Sequence, residues 1–509
     1  MKKKTTRQRA RNAKRKNERR RNKAKSGMKP RRDGPEFSSE IAHFEMADRT
    51  RAISCGGIGA IKNLVQRLGL ARALDDELEL LKYHRPYLES DHILNIVYNI
   101  FAGGHTLDDL EFRRADDAYL DAIGTRMVPG PSTAGDFLRR LSAEDIHLLM
   151  DIINRVRLEV WREQGPKLLD QTARIDADGH IIETHGRCKQ GMGLSYKNIW
   201  GYQPLLVSLA NTQEPLFIVN RSGNANSASG AAYYYDQAID LCRRAGFEKV
   251  LLRGDTAFSL TTNFDRWTDE GVHFVFGYAV NKGMKTRAEA IDEQELVQLE
   301  RRAKQALDRK TRAKQPRVKD QIVRERKYKN IVLESERIAE FEYSPTKCEK
   351  AYRVIVLEKT LREERGQQCL GTDVRYFLYI TNDPDMSAEQ VVFESNDRCN
   401  QENLIEQHKN GVRSFRAPLN TLEANWAYMV ISSLALTLKS WFGQLCPVTP
   451  RHRTRHEAER QQIIRMDFRT FLNEFMLIPA QIIRTGRQLV YRFLAWRPSL
   501  DILLRAASP

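Results

Sequence analysis

The run Val250-Leu-Leu-Arg-Gly-Asp255 is an apolar strand core that ends on an acid. Apolar residues at helical spacing precede it over 231–245 and follow it over 263–270, and a second apolar strand is expected at 272–278. Strands that alternate with helices pair in parallel, because the crossover helix carries the chain back to the same end of the sheet. Upstream, residues 201–210 and 215–220 flank Asn211-Thr-Gln-Glu214 and predict a hairpin, and 168–182 reads as extended. The order strand, strand, strand, helix, strand, helix, strand predicts an α/β fold, a mixed sheet with helices on its faces.

Outward from this core the pattern changes. Residues 36–165 read as helical, with three- and four-residue apolar spacing at 58–68 and 92–101 and a stop at Gly103-Gly104. Pro131-Ser-Thr starts another helix, with Ser132 or Thr133 as its cap. This region suits either a helix-turn-helix DNA reader or a plain helical packing domain. Residues 284–328 are dense in Lys, Arg and Glu at helical spacing, and 331–380 carry β-rich runs such as Tyr352-Arg-Val-Ile-Val-Leu357. Helix is expected again over 387–445 and 461–506. The longest apolar run, 424–438, is too short to span a bilayer and reads as a buried helix. These shifts divide the chain into a basic disordered arm (1–35), a helical domain (36–165), a core in two parts (166–283 and 387–445) split by an insertion (284–386), and a C-terminal helical region (446–509).

The net charge of +17 is concentrated: residues 1–32 hold 17 of the 83 Lys and Arg residues and one of the 66 acids. An arm with almost no apolar residues cannot bury a core, and disorder is expected. Such a tail either neutralises phosphates or only aids solubility. None of the seven cysteines stands in CxxC spacing, which argues against structural zinc. With no apolar leader after the N-terminal charges, the expected location is cytoplasmic.

Three acids in three settings carry the chemistry. Asp178 closes Arg174-Ile-Asp-Ala-Asp178, and Asp176, two residues earlier, shares its face of a strand. Asp255 sits at the end of a neighbouring strand. Glu402 falls on a helical stripe with Arg398, Glu406, Lys409 and Arg413. Carboxylates from separate elements suit a pair of Mg²⁺ or Mn²⁺ ions in phosphodiester cleavage. Each position also has a purely structural reading: a turn at Asp178-Gly179, a helix cap at Asp255, and a solvated face of salt pairs around Glu402.

With these residues in order, the chain resembles the DDE insertion-sequence transposases with an RNase H-like core and a β-rich insertion before the last catalytic helix. Among these it is similar to the insertion-sequence family numbered thirteen-eighty, with a Tyr-Arg-Glu-Lys signature. The likeness runs from about Gly56 to Trp441 and includes Gly201-Tyr-Gln-Pro-Leu205, Arg253-Gly-Asp-Thr-Ala-Phe258 and Tyr343-Ser-Pro-Thr-Lys-Cys348. Arg398, Glu402 and Lys409 match the signature in type and spacing; Ser395 stands at the tyrosine position, and His180 replaces the usual Thr or Ser after the first acid. The resemblance implies catalytic Asp178, Asp255 and Glu402, with Asp176 as a supporting metal ligand. It further implies DNA contacts from Arg398, Lys409 and Arg413, two divalent ions, binding of terminal inverted repeats, strand transfer into target DNA, and a homodimer or larger assembly. A nuclease with the same core but no strand transfer, or an inactive DNA-binding descendant, are the alternatives.

Overall fold

The computed structural model describes residues 6–26, 50–82, 86–186, 188–299, 329–365, 368–485 and 488–507. After strand β1 (Ala52–Ile53), helices occupy most of the chain to residue 169, the longest being Glu89–Phe101 and Ala143–Gln164. The latter starts at a capping box: the Ser142 side chain accepts from the Asp145 N–H, and the Asp145 carboxylate accepts from the Ser142 N–H. The Pro131–Leu138 helix is entered through Gly130 with proline in its first turn, so neither Ser132 nor Thr133 caps it.

The sheet strands follow: β2 (Ala173–Gly179), β3 (Ile182–Glu183), β4 (Gly193–Leu194), β5 (Trp200–Tyr202), β6 (Leu205–Leu209), β7 (Glu214–Val219), β8 (Val250–Gly254) and β9 (His273–Tyr278). The insertion adds β10 (Val297–Gln298), β11 (Lys329–Tyr343), β12 (Tyr352–Arg365) and β13 (Gln368–Thr381), and the C-terminal region adds β14 (Ala480–Thr485) and β15 (Gln488–Phe493). One nine-stranded mixed sheet runs β10-β11-β12-β13-β9-β8-β2-β6-β7. Strands β2, β8 and β9 are parallel; helix Ala231–Ala245 leads from β7 into β8 and helix Phe264–Asp269 from β8 into β9, as strand–helix alternation dictates. Strands β6 and β7 form the expected hairpin and pair antiparallel to β2.

The insertion is not a separate sheet. Strand β13 pairs antiparallel with β9, Thr381 opposite Val275 through Leu378 opposite Tyr278, so the long hairpins continue the core sheet outward. Most of the charged stretch 284–328 lies outside the described residues.

The Leu422–Gln444 helix is buried from Ala424 to its end. It packs on β7 and on helices Glu89–Phe101 and Ala143–Gln164, which ties the helical region to the sheet. Glu214 fixes that junction. Its carboxylate, fully buried, accepts from Arg157 (3.1 Å), Trp161 (2.8 Å), Trp441 (2.6 Å) and Gln444 (3.0 Å). A buried carboxylate with four donors is satisfied, and loss of any donor leaves its charge short of a partner.

Two expectations fail. Residues 6–26 of the basic arm form a helix, Thr6–Ser26, rather than a disordered tail. Its Arg, Lys and Ala residues are good helix formers, which composition arguments about burial overlook. The region 461–506 is not helical throughout: β14 and β15 form a hairpin, and β1 adds to its edge. Ala480 and Ile482 are buried alternately with more exposed neighbours, a period of two that the surrounding charges conceal. No helix among the described residues is long and apolar enough to cross a membrane.

Candidate active site

Arg174, Asp176 and Asp178 share one face of β2, and Arg253 and Asp255 follow the same alternation along β8. Asp176 lies opposite Arg253 in the parallel register. That is the last pair of the ladder; just beyond it, Asp178 near the end of β2 and Asp255 immediately after β8 lie close enough for the charge of Asp255 to act on Asp178. This charged face is covered by helices Ala388–Asp397 and Cys399–Glu406, with Arg398 at their junction.

The two acids of β2 have different fates. Asp176 is 1% exposed, and both its oxygens are taken by Arg253, at 2.7 Å from Nε and 2.9 Å from Nη2. The expected metal ligand is therefore a structural anion. In the middle of a sheet a carboxylate must be neutralised where it stands, and the nearest cation does so. Arg253 reaches on to Glu394 Oε2 (3.0 Å), which Arg174 also grips at 2.7 and 2.9 Å. Burial works against the charge on Arg253, but Asp176 and Glu394 outweigh it and hold the guanidinium above its ordinary value. Neither Arg253 nor Glu394 figures among the expected site residues. The signal for the first was a charged residue at every second position of an otherwise apolar strand pair; for Glu394, remote in sequence, there was none.

Asp178 stands at the mouth of the sheet. Its Oδ1 accepts from the N–H of Gly179 (2.8 Å), and its Oδ2 receives only a long contact from Arg398 Nη1 (3.4 Å). Burial raises its pKa to about 6; Arg398 opposes that shift and Asp255 adds to it. Asp255 caps the turn Thr256–Phe258, its Oδ1 accepting from the Ala257 N–H at 2.8 Å. The structural reading of Asp255 as a cap is thus correct, and it leaves Oδ2 without a hydrogen-bond partner among the described residues. Asp255 and Arg398 line an open cleft of ≈ 490 Å³ together with Tyr278, Phe377 and Tyr379. A larger cavity lies at the other end of the sheet, away from this pair of acids.

Glu402 does not join them. It is exposed on the Cys399–Glu406 helix, while Leu404 and Ile405 are buried. Its neighbour Gln401 faces the sheet, accepting from the Ser208 hydroxyl and donating to Leu206 O at 3.3 Å. Among the described residues no group of three His, Cys, Asp or Glu side chains stands close enough to hold a metal ion. In place of a third acid, Arg398 faces the pair and supplies the opposite charge.

The expected basic stripe is interrupted. A π-turn at Gln407–Gly411 follows the helix, and Arg413 takes a left-handed conformation, φ 56°. Extra residues per turn rotate later side chains off the α-helical stripe. Lys409 lies on this turn close enough to His180 to help depress it: burial first, then Lys409 and Lys197, lower His180 to about 4. Arg413 acts instead on His105 and Tyr428, at the helical region. His180 stacks on Phe415, which stacks on the buried His408, so both histidines are neutral packing groups.

The paired acids present only oxygen donors, with lone pairs left over on each. That donor set fits a hard divalent cation such as Mg²⁺ or Mn²⁺, which takes one or two carboxylates and keeps several waters.

Residues 46–508 match a family model described as transposase DDE domain, group 1. Among solved structures the chain is similar to piggyBac transposase in a synaptic complex with hairpin DNA, at 10% identity and a TM-score of 0.35, covering 83% of this chain and 82% of that one. At that level of likeness nothing about this chain follows from it. No curated protein sequence matches at a significant level. The family match spans most of the chain, which therefore belongs to the DDE transposase family, phosphoryl-transfer enzymes of DNA transposition that generally use divalent metal ions.

Proposed function

We propose that this DDE transposase binds the terminal inverted repeats of its own element, cuts there to expose a 3′ hydroxyl, and joins that hydroxyl to target DNA. The observation that carries the reading is the closeness of Asp178 and Asp255 at the ends of two adjacent parallel strands, where Asp255 acts on the charge of Asp178, with Arg398 reaching Asp178 from the junction of two helices. The order β7-β6-β2-β8-β9, three antiparallel strands followed by two parallel ones, supports an RNase H-like core. The spacing Arg398-x3-Glu402-x6-Lys409 supports membership of the insertion-sequence family thirteen-eighty.

Asp178 and Asp255 would hold the divalent ions, and Glu402 would be the third ligand. Bound ions of this kind activate an attacking oxygen and stabilise a leaving one. Arg398 binds a DNA phosphate near the scissile bond, which draws it from Asp178 and frees that carboxylate. Lys409, beside His180, holds a second phosphate. Glu402 sits one helical turn from Arg398 and enters the site as the Cys399–Glu406 helix adjusts to DNA. The helical region reads repeat sequence, the arm strengthens nonspecific contact, and two ends are held by a dimer or larger assembly.

The exposure of Glu402 favours one second reading, a descendant that binds ends without cutting. One assay separates the two: Mg²⁺-dependent cleavage of end DNA by wild type and by Asp255→Asn. Binding by both proteins and cutting by wild type alone is expected. Equal cutting by the variant would remove Asp255 from the chemistry, and no cutting by either would leave the second reading.

A further inference from the structure

A cavity of ≈ 650 Å³ lies at the end of β2 opposite Asp178, lined by Arg174, Asn211 and Thr212 beside the sheet and by Asn403 and Leu404 of the Cys399–Glu406 helix. That volume is the size of a small-molecule site. Six basic side chains line it against two acids, Asp397 and Asp467. Four of the six are already committed. Arg174 and Arg253 hold Glu394, Lys167 pairs with Glu457, and Arg460 donates to Cys446 O and Gln164. Lys439 and Arg465 remain.

Lys439 is the unusual one. It is 4% exposed, yet its ammonium donates to a single acceptor among the described residues, Ile464 O at 2.7 Å, in the last turn of the Arg453–Arg465 helix. An ammonium has three donors. Capping a helix end explains one of them and leaves two without an acceptor among the described residues, on a residue that lines the cavity. Burial lowers its pKa to about 7, with only Asp467 opposing that. Two further groups in the lining are buried without partners, Gln444 Oε1 and Thr212 Oγ1. Gln444 cannot turn away, because its amide nitrogen is held by Glu214 and Ser440, both at 3.0 Å. Two unpartnered buried polar atoms and one buried ammonium with a single acceptor thus belong to residues lining the same cavity.

We propose that this cavity binds a small phosphate ester that also carries a hydroxyl or amino group. Its phosphate would sit on Lys439, with the Thr212 hydroxyl donating and Arg465 at the rim. Its own donor would meet Gln444 Oε1, a contact that the interior phosphodiesters of duplex DNA, which carry no hydroxyl on phosphorus, cannot make.

The test is titration calorimetry of the full chain with ribose 5-phosphate and with inorganic phosphate. Saturable binding is expected, several-fold tighter for the sugar phosphate, since one added hydrogen bond contributes about 1 kcal/mol. Lys439→Met should weaken it at least tenfold, and Asp255→Asn should leave it unchanged. If Lys439→Met does not fold, Arg465→Gln replaces it and is expected to weaken binding about threefold, on the scale of one exposed charge contact. Failure of wild type to bind either probe saturably would overturn the proposal, as would indifference to the cavity variants. Loss of binding in Asp255→Asn would move the phosphate to the other end of the sheet. Displacement of ribose 5-phosphate by a short duplex lacking the element's ends would overturn the small-molecule source and assign the site to DNA backbone.

Discussion

Asp176 and Asp178 stand two residues apart on the same face of the same strand, and they differ in almost every physical respect. Asp176 is sealed, with both oxygens on Arg253 and a second ion pair behind it. Asp178, 17% exposed, is held by its neighbour's N–H and a 3.4 Å contact from Arg398. One step of about 7 Å along the strand separates a group that holds the fold together from one left short of partners. On the proposed function, incomplete satisfaction marks the metal-binding acid: a carboxylate that already has its full set of donors has nothing to offer a metal ion. Glu214 lies at the satisfied extreme, with four donors and no exposure.

The contrast breaks or sharpens under substitution. The largest effect belongs to Asp178→Asn, which should reduce end cleavage on the order of 10³-fold or more while leaving a folded protein, measured by single-turnover cleavage beside circular dichroism. Asp176→Leu should do the opposite. Removal of one partner from a buried ion pair costs about 3–5 kcal/mol, and urea unfolding should read that loss. A stable Asp176→Leu protein with no cleavage would erase the distinction.

A smaller effect separates the two acids by pH. The folded-state pKa of Asp178 is raised to about 6 from an ordinary 3.8. A raised value means that the folded state binds its proton more tightly than the unfolded chain. The stabilisation is complete below about pH 4 and is lost as pH rises through about 6. At pH 8 without divalent metal, Asp178→Asn should therefore be more stable than wild type, by at most about 2–3 kcal/mol, and near pH 4 the difference should vanish. A variant equally stable at both pH values would mean that Asp178 carries no such penalty. The smallest effect concerns the arm: deletion of residues 1–32 should weaken DNA binding and flatten its dependence on salt, read from log K against log salt concentration. An unchanged slope would show that the arm does not touch DNA.

The elements that were legible in the sequence are those whose burial is encoded locally. The helix Ala231–Ala245 and the strands β8 and β9 show their periods within a single window, and Gly246 in a left-handed conformation ends that helix. The β14–β15 hairpin was hidden because Arg484 and Arg492 fall within short strands and break the apolar run. The union of the insertion with the core sheet was hidden for another reason: β9 and β13 meet across a hundred residues, and strand pairing at that distance leaves no local mark. The site divides in the same way. Asp178 and Asp255 each terminate a recognisable strand. The partner that silences Asp176 lies 77 residues away, and Glu394 is 141 residues beyond that partner. The helical stripe through Glu402 assumed a regular helix, which the π-turn at Gln407–Gly411 contradicts for Arg413.

The claim on which all of this turns is that Glu402 joins Asp178 and Asp255 when DNA is present. A structure of the protein with end DNA and Mn²⁺, with the metal located by anomalous scattering, measures that directly. Carboxylate oxygens of Asp178, Asp255 and Glu402 all within about 2.0–2.3 Å of Mn²⁺ is the expected result. Manganese held by the two aspartates alone, with Glu402 still facing solvent and Arg398 still on Asp178, would contradict it.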